Sequence, residues 1–251
     1  MDLQLNNRTA LVTGASRGLG RAIARGLAAE GAQLVIVARR VALLEELCDE
    51  IVAAGGKRPV PIEADLYADH AANTLAARAL AELGHVDILV NAAGGSRPLT
   101  FDASRELWNE GMTLNFWRIR ELSHALVPQM KTNGFGRIIN LTGTSEPKII
   151  NAAFAAKAAV HVWSKGLSRD VAKHGVTINC IQPGKLRSEQ IDKRWPTEES
   201  RRAFALAEIP MERFGEPEEL ANLAVFLASS RASYITGTVI PVDGGSSHFA
   251  F

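Results

Sequence analysis

Residues 9–20 read TALVTGASRGLG, an apolar run that breaks off into three closely spaced glycines. Thr9–Thr13 suits a buried strand, and the three- and four-residue spacing of Ala22, Ile23, Gly26 and Leu27 suits a helix directly after the turn. A strand that turns through glycines into a helix is the context a dinucleotide's pyrophosphate requires. Gly14 permits the sharp exit from the strand, Gly18 lets main chain approach a phosphate, and Gly20 lets the helix lie close on the strand. The amides of Ser16, Arg17 and Leu19, with those of the glycines around them, then meet the anion at the positive end of the helix.

Outward from this turn, the next apolar run is Gln33–Ala38 (QLVIVA), which ends at Arg39-Arg40. A site for NAD(H) usually places Asp or Glu about there, to bind both ribose hydroxyls of the adenosine. No acid stands here. Two guanidiniums match a 2′-phosphate that a carboxylate would repel, and Arg17 adds a third. The pattern favours NADP(H) over NAD(H), the alternative being that these arginines only cap the next helix.

The same alternation continues along the chain. Further strand candidates are Pro59–Ala64, Val86–Val90, Arg137–Leu141, Val176–Ile181 and Thr238–Val242, several of them apolar on both faces. Helical spacing lies between them, as at Leu43, Leu44, Leu47 and Ile51, and at Val160, Trp163, Leu167 and Val171. This predicts one α/β domain over 1–251, a Rossmann-type, doubly wound parallel sheet of about seven strands flanked by helices. The least regular stretch, about 185–211, reads as a lid over a site.

Composition excludes several functions. A net charge of +1, with 22% charged residues and no block of one sign, offers no basic face for nucleic acid. Cys48 and Cys180 lie far apart and outside any Cys-x-x-Cys pair, so neither a metal site nor a disulfide framework is expected. That agrees with a reducing cytoplasm. The start, MDLQLNNR, lacks the build of a signal peptide, and no apolar run reaches the ~18 residues that span a membrane.

Further motifs, spread over nearly the whole length, resemble the short-chain dehydrogenase/reductase family, and most of all its acyl-carrier-protein reductase-like group. They are TGASRGLG at 13–20, Asn91-Ala92-Ala93-Gly94 (where the family has a second Asn at position 92), Asn115, Pro183-Gly184 with Ser188, and Gly237 with Val242-Asp243-Gly244-Gly245. The resemblance implies that Asp65 and Leu66 meet the adenine ring and that the stretch from Asn91 to Gly94 braces the sheet beside it. It implies that Pro183, Gly184 and Ser188 hold the nicotinamide amide, and that Lys157 binds the cofactor. Asn115 and Lys157 become active-site residues, acting on a small carbonyl/alcohol substrate. A homotetramer or homodimer is implied as well, and the apolar Val160–Leu167 stretch and the ending Ser247–Phe251 suit its contacts.

The family also implies a Ser and a Tyr, with the Tyr four residues before the Lys on one helix face, where the Lys charge lowers the phenol's pKa. Four residues before Lys157 stands Ala153, and the tyrosines present are Tyr67 and Tyr234. Gly143 falls at the serine's place, leaving Thr142, Thr144 or Ser145 as hydroxyl sources; Ser145 is the candidate carried forward. Lys157 itself or Glu146 could hold the missing proton, and His161, one turn beyond Lys157, reads as a packing or subunit-contact histidine. Three functions stay open: an NADP(H)-dependent oxidoreductase with a rewired proton donor, a non-redox lyase or hydratase, and a non-catalytic NADP(H)-binding protein. Ser96, Arg97, Trp195, Phe204 and Met211 stand where substrate contacts are expected. Lys185, Arg187, Lys193 and Arg194 suggest an acidic or acyl-carrier substrate, but Glu189 and Asp192 beside them offset that charge.

Overall fold

In the computed structural model, which describes residues 1–144 and 146–248, the apolar runs pair into a parallel sheet. Its strands are β1 (Thr9–Thr13), β2 (Gln33–Ala38), β3 (Val60–Glu63), β4 (Ile88–Asn91), β5 (Gly136–Leu141), β6 (Val176–Pro183) and β7 (Val239–Val242). The order is β3-β2-β1-β4-β5-β6-β7, seven strands among the described residues, and every pairing is parallel. The expected strand Val86–Val90 starts later, because the Asp87 amide donates to Thr9 Oγ1 at 3.0 Å and its carboxylate accepts from the Thr9 amide at 3.2 Å.

Helices cover both faces, which is why the strands lack alternation. On one face α1 (Gly18–Ala29), α2 (Val41–Ala53) and α9 (Pro217–Ala228) bury Ile23, Leu27, Leu47 and Leu220 against Val12, Leu34 and Ile36. On the other, α3 (Ala71–Leu83), α5 (Arg118–Asn133) and α6 (Ala152–Val171) bury Leu75, Leu122 and Val171 against Leu11, Val35 and Ile178. Each such side chain contributes about 1.5–3 kcal/mol relative to exposure.

Chain order runs outward from β1 to β3, then returns to β4 on the other side of β1. That reversal opens a crevice at the carboxyl ends of β1 and β4, where doubly wound sheets bind ligands. The stretch 185–211 is more regular than its sequence suggests. It holds α7 (Glu189–Arg194) and α8 (Glu198–Glu208), the latter begun by a capping box between Thr197 and Ser200. Trp195 and Phe204 pack with Phe214 over Ile191, Ala205 and Ile209 in a small core of their own.

Candidate active site at the carboxyl edge of the sheet

The turn from β1 into α1 is shaped as its glycines imply. Gly14 and Gly18 adopt left-handed φ of 68° and 54°, and a Cβ at Gly20 would overlap the Gly14 carbonyl. Nothing lies within 4 Å of a Cβ placed on Gly18, so its main chain faces open space. Helix α1 starts without a side-chain cap at Arg17, leaving the first-turn amides at Gly18, Leu19 and Gly20 for an anion or water. Arg39 and Arg40 are exposed at the end of β2, and Arg40 Nη2 donates to Ser16 Oγ at 3.4 Å. Arg17 forms an ion pair with Glu189 at the start of α7, tying the glycine turn to the 185–211 segment. This arrangement fits a phosphorylated dinucleotide.

Thr13 Oγ1 accepts from the amides of Ala92 and Ala93, at 3.1 and 3.2 Å, which holds the β4 exit against β1. Asn91 points inward: its Nδ2 donates to Asn140 Oδ1 at 2.8 Å, and Asn140 Nδ2 donates to Ser164 Oγ at 3.0 Å. Its side chain therefore links β4, β5 and α6, while Ala92, Ala93 and Gly94 line the exit. Asp65 is exposed and caps its own turn through the Tyr67 amide; Leu66 is buried, its carbonyl accepting from Arg118 Nε at 2.7 Å. Pro183 ends β6, the Gly184 amide donates to the Val242 carbonyl, and Ser188 caps α7 through the Ile191 amide.

Asn115 lies fully buried in a π-helical turn (Thr113–Trp117) between α4 (Arg105–Met112) and α5. Its Nδ2 donates to the Gly111 carbonyl at 2.9 Å and its Oδ1 accepts from the Gly95 amide at 3.1 Å. A π turn frees main-chain groups and commonly marks a functional site. Asn115 and Lys157 converge on the β4 exit: a Cβ on Gly94 would stand 3.0 Å from Asn115 Oδ1 and 3.3 Å from Lys157 Nζ. The N-terminus of α6, which carries Lys157, is fixed by Asn151, whose Oδ1 accepts from the amides of Ala153 and Arg97.

Lys157 Nζ donates to the Thr142 carbonyl at 3.1 Å, and burial pushes its pKa down to about 8. Thr142 Oγ1 donates to the Ile181 carbonyl at 3.2 Å and meets His161 Nε2 at 2.7 Å, so the ring nitrogen is the donor there. His161 thus binds the β5 exit, whereas its sequence position suggested a packing or subunit-contact histidine. Burial, then the Lys157 charge, holds its pKa below the usual value. Thr142 has no proton to offer a substrate, since its hydroxyl is turned to β6. Thr144 Oγ1 accepts from the Glu146 amide, and Glu146 turns to the chain's end, accepting from the His248 amide at 2.9 Å. Ser145, with Phe249 and Phe251, lies outside the described residues. Tyr67 is tied to Arg97 at 3.1 Å, and Tyr234 is fully exposed. Trp195 and Phe204 are engaged in the small core, and Met211 is largely exposed.

A strand–glycine–helix turn beside a buried Asn and a Lys of lowered pKa, at the switch point of a parallel sheet, defines a dinucleotide-type α/β protein. A family model described as enoyl-(acyl carrier protein) reductase matches residues 14–247. The chain is 36% identical to galactitol 2-dehydrogenase (L-tagatose-forming) of Cereibacter sphaeroides over 96% of each chain. It is 37% identical to the 3-oxoacyl-(acyl-carrier-protein) reductase of Vibrio cholerae over 97% of its own length and 98% of the relative's. The L-sorbose reductase of Gluconobacter frateurii, solved with NADPH and L-sorbose, superposes with a TM-score of 0.94 at 32% identity, covering 99% and 100% of the two chains. The chain belongs to the short-chain dehydrogenase/reductase family. Among the described residues no helix is long and apolar enough to cross a membrane, and no cluster of metal-binding side chains occurs.

Proposed function

We propose that the protein is an NADP(H)-dependent oxidoreductase of a small carbonyl/alcohol substrate, in which Lys157 does the proton work that the family assigns to a tyrosine. The observation that carries this is the convergence of Lys157 and Asn115 over Gly94, with the Lys157 pKa lowered to about 8. When bound, NADP(H) supplies or takes up the hydride. The amides of Gly14–Gly20 hold its pyrophosphate, with Asn91–Gly94 beneath, and Arg17, Arg39 and Arg40 meet the 2′-phosphate. Asp65 and Leu66 border the adenine; Pro183, Gly184 and Ser188 border the nicotinamide. Lys157 gives a proton to the substrate oxygen in reduction and removes one in oxidation, and the Thr142 carbonyl aims it. Ser145 stays a candidate hydroxyl.

The whole chain acts as one domain in this reading, and 185–211 closes over the site, supported by the Arg17–Glu189 pair. A homotetramer or homodimer is supported by exposed apolar residues on α6 and beside it, Val162 at 77% and Trp117 at 45%; a monomeric mass in solution would refute it. The test of function is a panel of ketones, aldehydes and alcohols with NADPH or NADP⁺. A cofactor-linked absorbance change is expected, and silence across the panel overturns the reading.

A second reading, a non-redox lyase or hydratase, is favoured by Gly143 and Ala153 standing where the family has Ser and Tyr. It predicts turnover that survives with a non-reducible cofactor analogue. Tight cofactor binding without turnover of any kind would instead mark a non-catalytic NADP(H)-binding protein.

A further inference from the structure

Gly143 has no hydroxyl to offer, and Thr142 gives its proton to the Ile181 carbonyl. Ser96 differs from both. It stands in the loop after β4, two residues beyond Gly94, where Asn115 Oδ1 and Lys157 Nζ converge. Asn115 clamps the residue between them: its Oδ1 accepts from the Gly95 amide at 3.1 Å and its Nδ2 donates to the Gly95 carbonyl at 3.2 Å. Asn151 clamps the loop from the other side, and the sense of its bonds is fixed. Its Oδ1 accepts from the amides of Arg97 at 3.1 Å and Ala153 at 2.9 Å, so its Nδ2 is the group that meets Ser96 Oγ at 2.9 Å.

An amide nitrogen of this kind only donates. Ser96 Oγ is therefore the acceptor in that bond, and its own proton points away from Asn151. No described residue takes up that proton, and Ser96 is exposed. Asn151 is 4% exposed and held by both of its Oδ1 bonds, so the hydroxyl is turned outward by a fixed partner. The Leu99 amide donates to the Ile150 carbonyl and the Ala152 amide to the Arg97 carbonyl, both at 3.1 Å, which lays the loop along the start of α6. One side chain thus joins Ser96 to the Ala153 amide, the position that the resemblance gives to the family's tyrosine. A hydroxyl that receives a hydrogen bond also becomes a stronger donor.

We propose, resting on the function given above, that the Ser96 hydroxyl binds the substrate's reacting oxygen, with Asn151 as the residue that positions it. In reduction, negative charge grows on the carbonyl oxygen; Ser96 keeps its proton and donates a hydrogen bond there, while Lys157 gives its proton up. In oxidation, Ser96 donates to a lone pair of the alcohol oxygen and leaves the alcohol's proton to Lys157. The alternative is that Ser96 does no more than satisfy Asn151. That role predicts a loss of stability on its removal and no change in how the site tells oxygen from carbon.

Ketones and alkenes of the same shape separate these roles: 2-hexanone with 2-methyl-1-hexene, cyclohexanone with methylenecyclohexane, and acetophenone with α-methylstyrene. Equilibrium binding to the protein with NADP⁺ is followed by ligand-observed NMR, so no turnover is needed, and the function above is judged separately by the carbonyl panel. At least one ketone should bind more tightly than its alkene. Ser96→Ala should cut that preference about two- to tenfold, the size of one neutral hydrogen bond. Ser96→Cys, similar in size but a poor donor, should cut it as well, and Ser96→Thr should keep it. A preference that survives both Ser96→Ala and Ser96→Cys, or no ketone preference in the natural protein, overturns the assignment even if the panel shows turnover. A preference that depends on Ser96 without hydride transfer in the panel upholds the contact and removes the redox function instead.

Discussion

The Lys157 ammonium donates across 3.1 Å to the carbonyl of Thr142, a residue whose hydroxyl is itself held by His161 at 2.7 Å. The β5 exit is thereby pinned to two successive turns of α6. The carbonyl aims the ammonium, and its charge favours neutral His161. Burial lowers the pKa of this cation to about 8, within reach of the pH range in which a proton can be exchanged with a substrate.

The first prediction follows from that titration. With the Lys157 pKa at about 8, its amine is charged below this value and neutral above it, so the proposed donor is spent at high pH. The rate of reduction should hold steady at lower pH and fall as pH rises through about 8, while oxidation should rise through the same window. Lys157→Met should lower both by about 10²–10⁴ and erase the inflection. A Lys157 that only binds ribose would leave the inflection in place, so the pH profile of kcat decides.

Thr142 is 1% exposed, and its hydroxyl joins His161 to the Ile181 carbonyl. Thr142→Val keeps the shape and leaves the His161 ring nitrogen without this partner, while the Ile181 carbonyl keeps its bond from the Thr142 amide at 2.9 Å. It should cost about 1–3 kcal/mol in urea unfolding at unchanged m, whereas Thr142→Ser should cost little. A loss in Thr142→Ser with none in Thr142→Val would mean that the methyl group, and not the hydroxyl's hydrogen bonds, matters there.

A Cβ at Gly20 would overlap the Gly14 carbonyl, so Gly20→Ala must lift α1 from β1. Overpacking of this kind costs about 1–3 kcal/mol. Because the lifted turn is also the phosphate cradle, cofactor affinity should fall more steeply than stability. Calorimetric titration beside thermal unfolding separates the two effects; an unaltered Kd would place the cofactor elsewhere.

What could be read from the residues was what local spacing encodes. The glycine turn, the strand–helix alternation and the double-sided strands are short-range patterns, and they gave the sheet and its binding edge. The capping box from Thr197 to Ser200 was a legible sign of α8 that the surrounding charges hid. The π turn at Asn115 was not legible as such, because one extra residue in a helix leaves the apolar spacing almost unchanged. Nor were the pairings of Arg17 with Glu189 and of Asp192 with Arg201, since proximity along the chain says little about which charges meet.

Arg40 stands at the end of β2, within 3.4 Å of Ser16 Oγ, with no acid between it and the turn. Arg40→Asp should weaken NADPH about 10–100-fold, the value of one or two charge-assisted hydrogen bonds lost, and leave NADH as tight or tighter. Fluorescence titration of both nucleotides measures the ratio. A parallel loss for both would assign Arg40 to shaping the turn and move recognition of the 2′-phosphate to Arg17 or Arg39.

The final prediction concerns the two family positions that this chain leaves bare. A side chain at Gly143 meets only Lys157 Cδ at 3.4 Å and Phe154 Cδ1 at 3.7 Å, ordinary contacts, and Gly143 needs no left-handed φ. A serine therefore fits with little adjustment. Ala153 is 2% exposed, so a tyrosine there must open room against its neighbours. Gly143→Ser alone should leave stability nearly unchanged, and Ala153→Tyr should cost about 1–3 kcal/mol. Together they supply a phenol one helical turn from Lys157, whose charge lowers its pKa. If Lys157 is the natural donor, the double variant should gain reductase rate by less than the 10²–10⁴ that a full acid–base catalyst contributes, and its pH profile should pass from Lys157 to the phenol. Activity that appears only in the double variant would show that the natural protein performs no hydride transfer of its own, and would leave the non-redox enzyme and the non-catalytic NADP(H)-binding protein as the readings.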